Sequence, residues 1–141
     1  MTRPTDEGIF RAMAEEAGMP KLGAGAVLLG IRRGKDIDVD AAGNVHRPTF
    51  QLGGKNGLSC AATIASLPPF SLPVEWGGSN TRTVVWEIVE EDVPPRLVVG
   101  VDSKPPQNRH LSIGPSTTMG YDDFEAAIEA TRTLWRKVTK T

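Results

Sequence analysis

The apolar residues of this chain occur in short runs that are separated by glycine, proline and charged residues. Short runs rich in β-branched and aromatic residues are typical of strands. The clearest run, at residues 83–89, reads TVVWEIV. The pattern therefore predicts four strands, at residues 26–31, 83–89, 97–101 and 109–115.

Two longer segments show the three- and four-residue spacing of an amphipathic helix. In residues 5–17 the spaced apolar residues include Ile9, Phe10 and Met13. Residues 122–137 begin with acidic side chains and end with basic ones, as the helix dipole favours. With 15 glycines and 11 prolines providing many turns, the pattern predicts an α+β domain with a helix near each end.

Composition limits the classes of protein to consider. A length of 141 residues predicts a single domain, residues 1–141, and a net charge of −1 gives no general attraction to nucleic acid. Cys60 is the only cysteine, so no disulfide forms within the chain and a reducing cytoplasm suits it. No apolar stretch approaches the ~20 residues of a membrane span and no signal peptide is recognisable, so we expect no membrane partner and any export to proceed without a cleaved signal.

The predicted strand at residues 109–115 contains one of only two histidines. Alternation along a strand places His110 and Ser112 on one face and Leu111 and Ile113 on the other. Such a strand can line a cleft with its polar face while its apolar face joins the core. Histidine can act there as acid, base or hydrogen-bond donor, although a half-exposed edge strand without chemistry has the same pattern.

Polar residues suited to a phosphate-bearing ligand lie near the ends of the predicted strands. Guanidinium groups pair with phosphate oxygens, hydroxyl groups hold riboses, and an aromatic ring such as Phe50 or Trp76 can stack on a base. None of these residues is specific alone, and an exposed arginine such as Arg33 is usually only solvated. The candidates are Arg32, Arg33, His46, Arg47, Thr49, Ser59, His110 and Ser112.

Several motifs are incomplete. The acidic loop at residues 36–40 has the opening spacing of a calcium loop, but Ala41 and Arg47 replace its required glycine and glutamate. One cysteine and two separated histidines cannot supply a structural zinc site, and we predict no metal. Ser59 does not lie in a Gly-x-Ser-x-Gly elbow, so a hydrolase triad has no support in the sequence.

A dispersed series of residues follows a recognisable order along the chain. In the second half, Asp92-Val93-Pro94-Pro95 is followed by Asp102-Ser103, by His110-x-Ser112-Ile113-x-Pro115 and by a helix that carries Arg132 and Trp135. In the first half, the matching segments are Leu29 to Arg32, Pro48-Thr49-Phe50 and Gly57-Leu58. This order resembles the ADP-ribosyltransferase-like toxin family, in particular small cytotoxins that bacterial type VI secretion systems export.

The resemblance implies a compact split β-sheet flanked by N- and C-terminal helices, with a cleft for NAD. In such folds an Arg or His on the first strand holds the dinucleotide, a Ser or Thr braces the second strand, and a residue on a later strand supports cleavage of the glycosidic bond. The resemblance places these catalytic roles on Arg32, Ser59 and His110. It places NAD contacts on Arg47, Thr49, Phe50, Gly57 and Ser112.

The chain departs from this family at the residue that usually accepts the ribose hydroxyl, a glutamate. No Glu-x-Glu or Gln-x-Glu motif lies on the His110 strand, and Glu75 and Glu87 lie elsewhere in the sequence. The departure concerns the transferase reaction more than the fold.

Three functions remain open from the sequence. The first is a toxin that uses NAD to transfer ADP-ribose to a macromolecule in the cytoplasm of a target cell, with a cognate immunity protein as partner. The second is a ribonuclease-like toxin with His46 and His110 as the acid–base pair. The third is a non-catalytic module that binds a nucleotide or peptide through the loop at residues 68–78.

Overall fold

The computed structural model describes residues 8–103 and 109–140. The architecture is α+β, with antiparallel strand pairing and one α-helix in the described chain. The strands are β1 (Phe10–Glu16), β2 (Met19–Pro20), β3 (Asn44–Val45), β4 (Leu58–Ala61), β5 (Thr83–Glu87), β6 (Leu97–Val101), β7 (His110–Pro115), β8 (Met119–Gly120) and β9 (Arg136–Val138). The helix is α1 (Tyr121–Ala130), and short 3-10 helices lie at Ile64–Ser66, Val74–Trp76, Glu90–Asp92 and Thr131–Leu134.

Six strands form the main path of the large sheet, in the order β6-β7-β4-β1-β5-β9. Strand β2 extends β1 as a hairpin, and β3 pairs with β8 in a separate two-stranded sheet. This order places β1, β4 and β7 side by side, although they are far apart in the sequence. Side chains from these three strands can therefore meet in one place.

The helix predicted at residues 5–17 is wrong for its described part, because Phe10–Glu16 is strand β1. Residues 1–7 lie outside the described residues. Strand β1 lies between β4 and β5 with both faces covered: Ile9 and Met13 belong to one apolar cluster, and Phe10 and Ala12 to the other. A strand buried on both faces has no simple alternation, so its apolar residues also satisfy a helical spacing.

The C-terminal helix is shorter than the sequence predicts. Helix α1 ends at Ala130, a 3-10 turn follows, and residues 136–138 leave the helix to pair with β5. Phe124 and Ile128 bury the apolar face of α1 against the core, as their spacing predicts. Of the flanking helices implied by the resemblance, the described part of the N-terminal one is strand β1, and the C-terminal one is shortened to α1 and followed by β9.

The predicted strand at residues 26–31 does not form. Leu29 makes only an isolated bridge with Leu22, and its N–H donates to Lys21 O at 2.9 Å. Gly30 lies so close to Gly23 that a Cβ atom there would meet Gly23 O at 2.0 Å, which commits the segment to a tight loop. Its apolar side chains are still buried, because Leu29 and Ile31 contribute to the core.

The remaining strand predictions are confirmed at β5, β6 and β7. Trp86 of β5 is 1% exposed, and its indole N–H donates to Met13 O at 3.0 Å. No helix among the described residues has the length and apolar character needed to cross a membrane.

Candidate functional site

A cleft of about 170 Å³ opens beside β4, where β1 and β7 flank that strand. Its ionisable lining groups are two arginines, one carboxylate, one histidine and the thiol of Cys60. The rest of the lining is small and apolar residues with three serine hydroxyls. The lining residues used below are Arg11, Arg32, Asp36, Ser59, Phe70 and His110.

Ser59 and His110 meet in this cleft because of the register between β4 and β7. Ser59 lies opposite Ser112, and Ala61 lies opposite His110, so Ser59 and His110 are diagonal neighbours on one face. Ser59 Oγ lies 2.7 Å from His110 Nε2. Ser59 is exposed and the His110 side chain is 48% exposed, so both are accessible to a ligand.

Asp102 lies behind His110 and completes a hydrogen-bonded series. Its Oδ1 contacts His110 Nδ1 in a short hydrogen bond, and its side chain is only 3% exposed. Its Oδ2 accepts from the Ser112 hydroxyl and from Asn56 Nδ2, the latter at 2.9 Å. The Asp102 main-chain N–H donates to His110 O at 3.2 Å, so the backbone also holds the two residues together.

The ionisation of Asp102 decides the direction of these hydrogen bonds. Burial by itself raises the pKa of this carboxyl, but the hydrogen bonds from His110, Ser112 and Asn56 outweigh burial and hold the pKa below its ordinary value. An ionised carboxylate only accepts, so His110 Nδ1 carries the proton that it donates to Asp102. In the neutral imidazole Nε2 is then the acceptor, and Ser59 Oγ donates to it.

Arg11 places a buried positive charge beside the cleft. Its Nη1 donates to Ser59 O at 2.6 Å, and its Nη2 donates to Leu28 O at 2.8 Å and to Gly25 O at 3.2 Å. Its Nε has no partner, and no carboxylate of the described chain forms an ion pair with it. Burial lowers the pKa of Arg11, yet a guanidinium remains charged at neutral pH.

Arg32 and Asp36 form the charged wall of the cleft. Arg32 Nη2 contacts Asp36 Oδ1 at 2.9 Å, and the Asp36 carboxylate also accepts from the Arg32 main-chain N–H at 2.7 Å. Asp36 is therefore already paired with Arg32. The described residues that line the cleft include no other carboxylate. The residues that line the cleft thus include two guanidinium groups and one carboxylate, with the carboxylate of Asp102 behind His110.

The structure brings together three of the residues singled out in the sequence and separates the others. Arg32, Ser59 and His110 line the cleft, but Arg32 lies in a loop instead of on the first strand, where Arg11 lies. Ser112 contributes indirectly, because its buried hydroxyl bonds Asp102.

Four predicted NAD contacts do not line the cleft. Arg47 is exposed and donates to Ser116 O at 3.4 Å, and Thr49 is exposed in the following loop. Phe50 packs on β6, since a Cβ at Gly100 would meet its ring at 2.4 Å. Gly57 contributes backbone shape instead: its φ is +117°, in the region that favours glycine.

The aromatic residue at the cleft is Phe70, which is 61% exposed at the rim. Phe50 and Trp76, the aromatic residues predicted for this role, do not line the cleft. Trp76 packs against the second apolar cluster, with the ammonium of Lys140 5.5 Å from the centre of its ring.

The two histidines do not form an acid–base pair at this cleft. His46 lies next to β3, where Nε2 contacts Asp40 Oδ2 at 2.7 Å and Nδ1 contacts Thr118 Oγ1 at 2.9 Å. It is not among the residues that line the cleft. The ribonuclease hypothesis thus has only His110 at the site.

Sequence reasoning missed Arg11, Asp102 and Asn56. A charged residue inside the apolar run at residues 9–14 was a usable signal for Arg11, because a lone arginine in a buried strand must find polar partners. Asp102 is part of the resemblance, which gives it no role. Because Ser59 lacks the elbow motif, the sequence offered no reason to look for a carboxylate partner of a serine–histidine pair. Serine, histidine and aspartate nevertheless meet here in the geometric order of a triad, which is recognised by geometry and not by sequence position.

Comparisons of the chain with models of protein families, with curated proteins and with solved structures give no match.

Proposed function

We propose that this protein binds NAD in the cleft beside β4, cleaves the nicotinamide–ribose bond and transfers ADP-ribose to an acceptor. The proposal includes the biological setting that the resemblance implies: a toxin that acts in the cytoplasm of a recipient cell and is neutralised by a cognate immunity protein. The resemblance asks for an Arg or His on the first strand, a Ser or Thr on the second and a third residue on a later strand. Arg11, Ser59 and His110 follow this order along the chain, on the first strand β1, on its sheet neighbour β4 and on the later strand β7.

The observation that carries the proposal is the buried guanidinium of Arg11. Its hydrogen-bond partners in the described chain are neutral carbonyl groups and its Nε has none, although the charge of Asp36 acts on it without a direct contact. Arg32, whose Nη1 is not used by Asp36 in the described chain, adds a guanidinium donor of the kind that pairs with diphosphate oxygens. This assignment moves the first-strand role from Arg32 to Arg11 and leaves Arg32 as a wall of the site.

The size of the cleft suits the reacting end of the dinucleotide. Pockets that enclose a drug-sized ligand measure roughly 300–1,000 Å³, whereas this cleft measures about 170 Å³. It can hold a nicotinamide ring, with the ribose at its mouth and the remainder of NAD along the surface. Phe70 at the rim offers a ring face for stacking.

The reaction can be assigned to groups of this cleft. When the glycosidic bond breaks, its electron pair passes to the nicotinamide ring nitrogen and positive charge develops on the ribose. His110 Nε2, oriented by Asp102, takes the proton of the acceptor as that acceptor bonds to the ribose carbon. Glu75 and Glu87 do not line the cleft, so this proposal uses no catalytic glutamate.

Release of nicotinamide from NAD by the purified protein tests the proposal, with chromatographic detection. We expect release by the native chain and a loss of at least about 100-fold in His110→Ala, as for removal of a general base. His46→Ala is the matched control, because it removes the other histidine away from the cleft and should retain the rate. The proposal fails if the native chain releases no nicotinamide, or if the two variants behave alike.

A binding measurement separates NAD recognition from the reaction. We expect NAD to raise the Tm of the native chain and to raise it less in Arg32→Ala. Labelling of a lysate with NAD that carries a tagged adenine would then identify the acceptor. Cleavage of RNA in the absence of NAD would instead favour the ribonuclease hypothesis.

A further inference from the structure

We propose that Ser59 is an activated nucleophile, and that the cleft also cleaves esters with a small acyl group through an acyl-Ser59 intermediate. This activity goes beyond the proposed NAD reaction and needs no NAD. It rests on the geometry of the relay, the hydrogen-bonded series formed by Ser59, His110 and Asp102.

The hydrogen bonds of the relay run in the order and direction that activate a serine hydroxyl. The ionised Asp102 accepts from Nδ1 of His110, which leaves Nε2 as the acceptor of the Ser59 hydroxyl at 2.7 Å. This is the arrangement in which an imidazole withdraws the proton of a serine as the serine attacks a carbonyl carbon. In the other neutral tautomer the proton is on Nε2 of His110. Nδ1 could then not donate to Asp102, and Nε2 could not accept from Ser59.

Solvent exposure increases along the relay from the carboxylate to the hydroxyl. Asp102 is buried, the His110 ring is 48% exposed, and Ser59 is exposed on the cleft wall. A substrate can therefore reach the nucleophile while the orienting carboxylate stays away from water. Asn56 and Ser112 hold the second oxygen of Asp102, so the carboxylate cannot rotate without losing two further bonds.

The protein contains a second series of the same groups that lacks these properties. Thr118, His46 and Asp40 are also joined by hydrogen bonds, of 2.9 and 2.7 Å. The Asp40 side chain is 38% exposed and the His46 side chain 54% exposed, and neither lines the cleft. Among the residues that the structure describes, hydroxyl–histidine–carboxylate contacts thus occur twice, and of these two the relay combines a buried carboxylate with a hydroxyl on a cavity wall.

Negative charge develops on the substrate when the serine attacks, and two arginines lie near enough to the cleft to stabilise it. The carbonyl oxygen of the substrate becomes an oxyanion, which needs positive charge or hydrogen-bond donors nearby. In the described chain Asp36 engages Nε and Nη2 of Arg32, which leaves Nη1 of this cleft-lining residue for an anionic oxygen. The buried charge of Arg11, bonded to the carbonyl of Ser59 itself, favours the same charge development.

The reaction balances with water as the only co-reactant. Ser59 Oγ bonds to the carbonyl carbon as its proton moves to His110 Nε2, and the C–O bond to the leaving group then breaks, with that proton passing to the departing alkoxide. Water attacks the acyl-Ser59 ester by the same route, releasing the acid and restoring the serine. The small volume of the cleft limits the acyl group to a short chain.

A fluorophosphonate probe and p-nitrophenyl acetate test the inference without NAD. The probe phosphorus should bond to Ser59 Oγ with loss of fluoride, and peptide mass spectrometry should map the adduct to Ser59. We expect Ser59→Ala to abolish labelling, and His110→Ala and Asp102→Asn to slow it by at least about 100-fold. Release of p-nitrophenol from the ester should fall in parallel in the same three variants.

Two control variants protect the interpretation. Thr118→Val and His46→Ala alter the second series of groups and should label at the native rate. Each variant is also checked for a cooperative thermal unfolding transition, so that loss of labelling is not confused with loss of folding. Asp102→Asn keeps the shape of the side chain and should remain folded. Labelling at another residue, labelling unchanged by His110→Ala and Asp102→Asn, or an absence of esterase activity each overturns the inference.

The two proposals fail separately. Nicotinamide release without labelling of Ser59 overturns the nucleophile and leaves the NAD reaction. Labelling and ester cleavage without nicotinamide release overturn the NAD reaction and support the nucleophile.

Discussion

Asp102 accepts a hydrogen bond from the imidazole of His110, and the main-chain N–H of Asp102 donates to the carbonyl of the same histidine. The two residues face each other just beyond the last pair of the β6–β7 ladder, Val101 and Leu111. Strand pairing therefore delivers the carboxylate to the ring, and the side-chain contact selects which ring nitrogen holds the proton. That selection leaves Nε2 of His110 to accept from Ser59.

The ionisation of Asp102 predicts an acid-sensitive contribution to stability. Its pKa is lower in the folded protein than its ordinary value, so the ionised carboxylate stabilises the fold above the unfolded pKa. This contribution disappears as the pH falls through the folded pKa. Urea unfolding should therefore show a larger free-energy difference between the native chain and Asp102→Asn at about pH 5 than at about pH 2.5. An equal difference at both pH values would contradict the role of the charge.

Arg11 predicts a large loss of stability when its donors are removed. Arg11→Met leaves the carbonyls of Gly25, Leu28 and Ser59 without this partner. At about 1 kcal/mol for each lost partner, we expect the free energy of unfolding to fall by about 3 kcal/mol. Arg82→Met is the control, because Arg82 is exposed and its loss should cost less than about 0.5 kcal/mol. Equal costs in urea unfolding would show that the buried guanidinium contributes nothing.

Gly57 predicts a steric requirement immediately before the strand that carries Ser59. Its φ is +117°, and a Cβ atom there would lie 2.1 Å from Ile113 O of β7. Gly53 has a φ of +72° with open space around it, so Gly53→Ala measures the backbone strain alone, about 1 kcal/mol. We expect Gly57→Ala to reduce the free energy of unfolding by at least about 2 kcal/mol more, because backbone atoms must separate. Matching losses in the two variants would exclude the collision.

Cys60 predicts an unreactive thiol in the folded protein. Burial raises its pKa to about 12, so almost none of it is thiolate at pH 8. Iodoacetamide should leave Cys60 unmodified in the native chain and modify it after unfolding in guanidinium chloride. Leu52→Cys supplies an internal control at a site that is 65% exposed, so the folded variant should take up one label. Rapid labelling of Cys60 in the folded native chain would show that the thiol is accessible.

Local pattern alone determined three strands of the large sheet, β5, β6 and β7. The β-branched runs predicted β5 and β6, and alternation correctly separated the buried Leu111 and Ile113 from the polar face of His110. Residue chemistry and the resemblance selected Arg32, Ser59 and His110, which the structure brings to one cleft. The strand predictions succeeded because each depended on the side-chain period of a single strand, whereas the roles of the three cleft residues stay predictions.

Only the tertiary structure decided how these elements combine. Strand β1 pairs along its length with β5 and is covered on both faces, so burial overrode the helical spacing of Ile9, Phe10 and Met13 and placed Arg11 beside Ser59. The relation of Asp102 to Ser59 arises through two separate strand pairings, β6 with β7 and β7 with β4. Register between distant strands is set by packing over the whole sheet, and no local sequence pattern contains it.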